Sequence, residues 1–429
     1  MFEYRIAGDS RGQCGRPKQT RGGENRSVTP KLLFSALILF CFGGGPCPAT
    51  AHPTTHRSGV RWEEIRGVNF IPSYAANTYE IWRNYDHNLF DFQLKLASDA
   101  GFNTVRLWLN YAAFEEMGPK MVDDVEDAVQ LTAKHQLGVV LVLFDSCGVR
   151  PRKDAVWMTA REAYSRFQSN PRFTPEQKAL MRKLFYRYAQ GFGANTMVPV
   201  SADSPMMALL YQKWVPTPGN DRLGPEWYGR LQLYVDAVME RLKTSPSVLL
   251  WDLMNEPEWA SEDLSITPEM KKTRDEFLHH FHDYIKKRYP AQPIGIGWAR
   301  LENAEGYAEL ADVVTFHIYG SPEQVQSAIE RAQSFGRISG KPMLITETLA
   351  NWDFGTPDFG RLATDEQQLA HYERELPVLL KSPIGWISWG LVISHDFDPY
   401  TDIFYPDGVP RPAAIYLKTA LQGIRGGND

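Results

Sequence analysis

Eight short apolar runs punctuate the chain, each rich in β-branched residues and each followed by a stretch of helical periodicity. They span 67–71, 103–109, 139–144, 248–254, 293–298, 313–318, 343–346 and 385–391. Runs that stay apolar at successive positions bury both faces, as strands of a covered parallel sheet do. Between them, Leu89, Phe92 and Leu96 share one helical face, and Gly101 is expected to stop that helix. Val125, Ala128, Val129 and Leu131 begin the next face, which Gly138 is expected to stop. Further helices are expected near 225–244, 268–289, 302–310, 322–335, 364–381 and 412–422.

Strand and helix alternating eight times predict an α/β protein, a single (β/α)8 TIM barrel. An open doubly wound sheet would favour a glycine-rich phosphate loop after the first strand, and Phe70-Ile71-Pro72-Ser73 stands there instead. The main departure from a minimal barrel is a long insertion after strand three, residues 146–223. It carries Trp157, a helical stretch near 175–190 and a proline-rich run, Trp214 to Pro218. Loops that follow strands build the working face of such a barrel, so this insertion is a candidate wall or lid, or else a decoration. No repeat or linker after the eighth strand suggests an appended module.

Residues 1–51 read differently. A basic leader precedes the apolar run 32–42, and Ala49-Thr50-Ala51 supplies a small-residue cleavage signal. A run of eleven residues is too short to span a bilayer, which needs ~20. A secretory signal peptide is therefore expected, leaving 52–429 as the catalytic domain, secreted or periplasmic, with no membrane in the mature form. Its removal leaves 39 basic and 48 acidic residues, a net charge of −9 that disfavours a nucleic-acid partner. It also leaves Cys147 as the one cysteine, so no intramolecular disulfide can form. A monomer is expected.

The chemistry lies at the strand ends. Strand four ends Asp252-Leu253-Met254-Asn255-Glu256-Pro257 and strand seven ends Ile345-Thr346-Glu347. Two carboxylates at the C-terminal ends of different strands point into one cleft, and glycosidic cleavage needs such a pair: one acid to protonate the leaving oxygen, one carboxylate to attack or to activate water. A metal site is the other chemistry to consider. His279, His280 and His282 cluster inside a helix, without an H-E-x-x-H pattern or a cysteine partner, and read as helix-face histidines. No metal and no cofactor is expected.

Five motifs in order carry a resemblance. Leu253-Met254-Asn255-Glu256-Pro257, Val105-Arg106-Leu107, His317-Ile318-Tyr319, Ile345-Thr346-Glu347 and Ser388-Trp389-Gly390 together resemble clan A glycoside hydrolases, in particular family 5, the cellulase and mannanase family. The resemblance implies a retaining hydrolase of β-glycosidic bonds acting on an oligo- or polysaccharide. It implies Glu256 as acid/base, Glu347 as nucleophile, Arg106 holding Glu347 ionised, Asn255 on the sugar 2-hydroxyl, His317 and Tyr319 beside the substrate, and Trp389 as a platform under the sugar. Trp259, Trp298 and Trp352 are candidate further platforms. Asp145 stands where the family commonly carries a histidine, and either contacts a sugar hydroxyl or caps the loop that follows. Rival readings are a catalytically inactive glycan-binding barrel and a metal-dependent sugar isomerase on the same fold. Retention requires the two carboxyl groups ~5–5.5 Å apart.

Overall fold

The computed structural model describes residues 60–425, apart from 76, 147–155, much of 172–196, 201–216, 220–221, 260–266, 351, 354–359, 362–363 and 393–400. The leader 1–51, Cys147 and most of the expected helix near 175–190 lie outside the described residues.

Eight parallel strands form the barrel: β1 Arg66–Asn69, β2 Thr104–Trp108, β3 Gly138–Asp145, β4 Val248–Asn255, β5 Ile294–Gly297, β6 Val314–His317, β7 Met343–Glu347 and β8 Gly385–Ser388. Their order in the sheet is β5-β4-β3-β2-β1-β8-β7-β6. Closure between β5 and β6 comes just past β5, where Trp298 bridges Phe316 and its carbonyl accepts from the His317 amide at 2.8 Å. The helices that follow the strands are α1 His87–Asp99, α2 Pro119–Lys134, α3 Tyr228–Leu242, α4 Pro268–Arg288, α5 Leu301–Gly306, α6 Pro322–Ser339, α7 Asp365–Leu380 and α8 Pro412–Arg425. Among the described residues no helix is long and apolar enough to cross a membrane.

Local chemistry explains the boundaries. Asp86 caps α1 by accepting from the Leu89 amide, and Ser321 with Gln324 forms a capping box on α6, where Pro322 takes the first helical position. Gly101 ends the α1 region with φ +96°, as expected. Gly138 does not end α2. The left-handed residue there is Gln136, at φ 58°, and Gly138 opens β3 against the Leu249 side chain.

The apolar runs are split between two cores. Outside the sheet, Phe144 of β3 meets Phe277 and Phe281 of α4 edge-on, with centroids 5.1 and 5.2 Å apart. A separate buried cluster joins Val140, Leu250, Leu344 and Ile387 with Ile65 and Val313, and Trp62 packs on it. Strands β3 and β7 are not neighbours in the sheet, so this cluster can form only across the lumen, which is packed as in other barrels. The insertion after β3 includes an antiparallel pair, Val156–Thr159 with Met197–Val200, and a helix, Ala160–Ser169. Its return end pairs with the barrel through Thr217 and Asp145.

The lumen cluster has a measurable consequence. Leu344→Ala removes a fully buried side chain where the surrounding strands cannot collapse, so a loss of about 2–5 kcal/mol in urea unfolding is expected. A loss below ~1 kcal/mol would show that the lumen layer carries little of the stability.

Candidate active site

Strand register sets the site. Asn69 pairs with Arg106, Asp145 with Asn255, Asn255 with Gly297, and His317 with Glu347, so the polar ends of six strands fall at one level. Asn69, Asn255 and Glu347, together with Asp252, converge on the Arg106 guanidinium, which is wholly buried. Its Nη2 donates to Asp252 Oδ2 at 2.8 Å and to Asn255 Oδ1 at 2.6 Å. Its Nη1 donates to Glu347 Oε1 at 2.8 Å and to Asn69 Oδ1 at 3.2 Å. Gly297 is required beside this pair: a Cβ there would lie 2.8 Å from Asp252 Oδ2 and 2.9 Å from Arg106 Nη2.

Glu347 is fixed at both oxygens. Arg106 holds Oε1, and the Tyr319 hydroxyl donates to Oε2 at 2.7 Å. Burial, then the charges of Glu347 and Glu256, push the Tyr319 hydroxyl up, which keeps it a donor. Burial also pushes the Glu347 carboxyl above its ordinary 4.5, with Glu256 adding to the push, while His317, Arg106 and Tyr319 pull it down. Arg106 and Tyr319 thus make the expected contacts, but desolvation outweighs them.

Glu256 takes a left-handed backbone, φ 42°. Such a conformation costs a non-glycine residue roughly 1–3 kcal/mol and persists only where neighbours hold it. Here the Glu256 amide donates to the Gly297 carbonyl at 2.7 Å, and the Ser146 hydroxyl donates to the Glu256 carbonyl. His317 Nδ1 lies 2.7 Å from Glu256 Oε1 and 3.4 Å from Glu347 Oε2. Burial lowers the His317 pKa. His317 Nε2 is buried with no hydrogen-bond partner among the described residues.

The expected site residues are therefore brought together: Glu256, Glu347, Arg106, Asn255, His317 and Tyr319 form one connected cluster. Trp389 is half-buried beside it, with its amide on the Thr348 carbonyl at 2.7 Å and its ring edge-on to Trp108 at 5.4 Å. Trp298 is not a platform. It is 2% exposed, stacked under Tyr307 at 4.6 Å, because it closes the barrel and packs outward. The side chains of Trp259 and Trp352 lie outside the described residues.

Four participants escaped the motif reading: Asn69, Asp252, Trp108 and Glu258. Asn69 donates to the Thr346 and Ser388 carbonyls at 3.0 Å each, tying β1 to β7 and β8. Asp252 had a legible signal, an acid inside an otherwise apolar strand, which needs a buried cation. Trp108 lies under the guanidinium, 4.6 Å from ring centroid to Arg106 Cζ. Glu258, raised by burial, accepts from the Ala299 and Arg300 amides at 3.1 Å and from Asn303 Nδ2 at 2.9 Å. It joins the loop after β4 to the start of α5. A cavity of about 710 Å³ opens from Glu256, His317 and Tyr319 towards Arg300, Glu323 and Arg331.

Ligand atoms of Glu256, His317 and Glu347 all lie within 4.8 Å of one another, the one such set of three among the described residues. A divalent ion can reach all three, although Arg106 already occupies Glu347 Oε1 with a positive charge. His280 is placed elsewhere, stacked on Tyr228 at 3.9 Å.

No family model matches the chain, and no curated protein matches it in sequence. Solved structures do match in shape. GH5_18 from Streptomyces cattleya in complex with GlcNAc is 14% identical, with a TM-score of 0.53 over 84% of this chain and 80% of that one. The endo-β-1,4-mannanase from Thermotoga petrophila is 14% identical, with a TM-score of 0.51 over 87% and 79%. The endo-1,4-β-mannanase from Rhizomucor miehei is 13% identical, with a TM-score of 0.51 over 84% and 95%. The chain shares the (β/α)8 fold of these glycoside hydrolase structures.

The raised Glu347 has a signed consequence. In the folded chain it resists ionisation, so the penalty is absent below its unfolded pKa and grows as pH rises through the folded value. Glu347→Gln keeps the shape without the charge. Relative to the parent, its melting temperature is expected to rise between about pH 4 and about pH 7, in addition to a cost from the lost ion pair with Arg106. A stability difference that stays constant, or turns against Glu347→Gln, as pH rises would contradict the direction.

Proposed function

We propose that this protein is a retaining glycoside hydrolase that cleaves β-glycosidic bonds of a β-linked glycan by double displacement. The observation that carries the reading is the closeness of the two carboxylates, one oxygen of each lying within 4.8 Å of the other. That supports the ~5–5.5 Å of direct attack over the ~6.5–9.5 Å an inverting enzyme uses to admit a water. In the first step a Glu347 oxygen bonds to the anomeric carbon, the bond from that carbon to the leaving oxygen breaks, and Glu256 gives its proton to the leaving oxygen. In the second, water attacks the same carbon, Glu256 takes the water's proton, and Glu347 leaves as a carboxylate. Asn255 holds the sugar 2-hydroxyl, Trp389 underlies the ring, and the cavity beside Glu256 receives the leaving group. Export through the leader 1–51 belongs to the same reading.

β-Mannosides and β-mannans are the first substrates to try, given the names of two of the structural neighbours, followed by β-glucans and xylans. With a matching 2-deoxy-2-fluoro glycosyl fluoride, the label is expected on the peptide containing Ile345-Thr346-Glu347. Label on Asp145, Asp252 or Glu256 would overturn the assignment. The acid limb of the pH–rate profile is expected above 4.5, set by the raised Glu347, and the basic limb is set by ionisation of Glu256. Glu256→Ala is expected to lose activity on poor leaving groups by roughly a hundredfold or more, yet still be glycosylated by an activated aryl glycoside. A rate on poor leaving groups unchanged by Glu256→Ala is the contrary result. The metal-dependent reading has its own signature: loss of activity in chelator and recovery on adding a divalent ion.

A further inference from the structure

We infer that Asp145 is a positioning residue that locks the amide of Asn255 in one sense. The inference rests on the hydrolase reading for its catalytic consequence, but not for its geometry. Asn255 Nδ2 donates to Asp145 Oδ1 at 3.1 Å, while Asn255 Oδ1 accepts from Arg106 Nη2 at 2.6 Å. All three side chains are at least nine-tenths buried, with Asp145 4% and Asn255 3% exposed. Turning the amide over would set its oxygen against the Asp145 carboxylate and its NH2 group against the guanidinium. Both contacts are repulsive, and in a site closed to water neither is relieved by solvation. An anion on one side and a cation on the other therefore decide which end of the amide is the donor.

A hydrogen-bonded chain results, running Glu347–Arg106–Asn255–Asp145. Its far end is fastened by the insertion. The Asp145 amide donates to the Thr217 carbonyl at 2.7 Å, the Thr217 amide donates back at 3.3 Å, and Thr217 Oγ1 accepts from the Tyr111 amide at 2.7 Å. The return end of the insertion at Thr217 thereby holds Asp145 at the level of the site. Of the two roles open for Asp145 in the sequence, contact with a sugar or capping of a loop, the geometry points to a third: it acts on substrate through Asn255.

A double-mutant cycle and a spectroscopic reading test this. With an aryl β-glycoside that the parent cleaves, Asp145→Ala and Asn255→Ala are each expected to lower kcat/KM by about tenfold or more. The double variant is expected to be no worse than Asn255→Ala alone, because Asp145 has nothing left to position. Losses that multiply would overturn the proposal. Asp145→Asn keeps the volume and removes the charge, so it serves if Asp145→Ala does not fold. In protein labelled with [15N]asparagine, the side-chain NH2 signals of Asn255, identified by their absence from Asn255→Ala, are expected to move in Asp145→Asn while those of Asn69 stay. Unmoved Asn255 signals would refute the lock. This second measurement needs no substrate. If the signals respond but no glycoside is cleaved, the hydrolase reading fails and the positioning stands. If glycosides are cleaved and the signals stay put, the positioning fails alone.

Discussion

A guanidinium buried in the mouth of a barrel must be neutralised completely, and most of the site follows from meeting that demand at Arg106. Breaking one partner of a buried ion pair typically costs 3–5 kcal/mol, because the other charge is then stranded. Here two acids and two amide oxygens surround one side chain: Asp252, Glu347, Asn255 and Asn69. Asp252 is itself tied at Oδ1 by the Gly297 amide at 2.9 Å, which is why position 297 admits no Cβ. The aromatic face of Trp108 closes the remaining side. Five strands are thus oriented by one cation, and Glu347 is placed as one of its ligands.

The same arrangement is a source of instability. Desolvation of Glu347 exceeds the help it receives from Arg106 and Tyr319, and Glu256 sits in a backbone conformation that a non-glycine residue avoids. Both features lie on the acids proposed to react, and neither lies in the lumen cluster or the outer core. The barrel carries the stability through its two apolar layers, and the strand ends spend part of it on geometry.

Much of this was legible from residue patterns, for a physical reason. A strand buried on both faces must be apolar throughout, so its eight occurrences count the strands, and a charge inside such a run, as at Arg106 or Asp252, declares that it has a buried partner. What escaped depended on contacts far apart in sequence. Gly138 resembled a helix stop, yet it opens β3, and its near neighbour is Leu249, over a hundred residues on. Trp298 follows a strand as a platform would, yet it faces Tyr307, since the barrel closes at that residue. Asp145 resembled an isolated departure from a family pattern. Only the register of β3 with β4 sets it opposite Asn255, and only the return of the insertion supplies Thr217.

Low identity with the structural neighbours is what these constraints allow. An apolar lumen accepts many combinations of Val, Ile and Leu provided the volume is filled, so the fold survives substitution at most positions. The polar cluster is far less tolerant, because each member satisfies another and no partner can be lost singly. The loops beyond it answer to neither constraint. Glu258 binds the loop after β4 to α5, and Thr217 binds the insertion to β3, so each loop is fastened at its root. A barrel organised this way can change the loops around its mouth without disturbing the level at which Glu256 and Glu347 face one another.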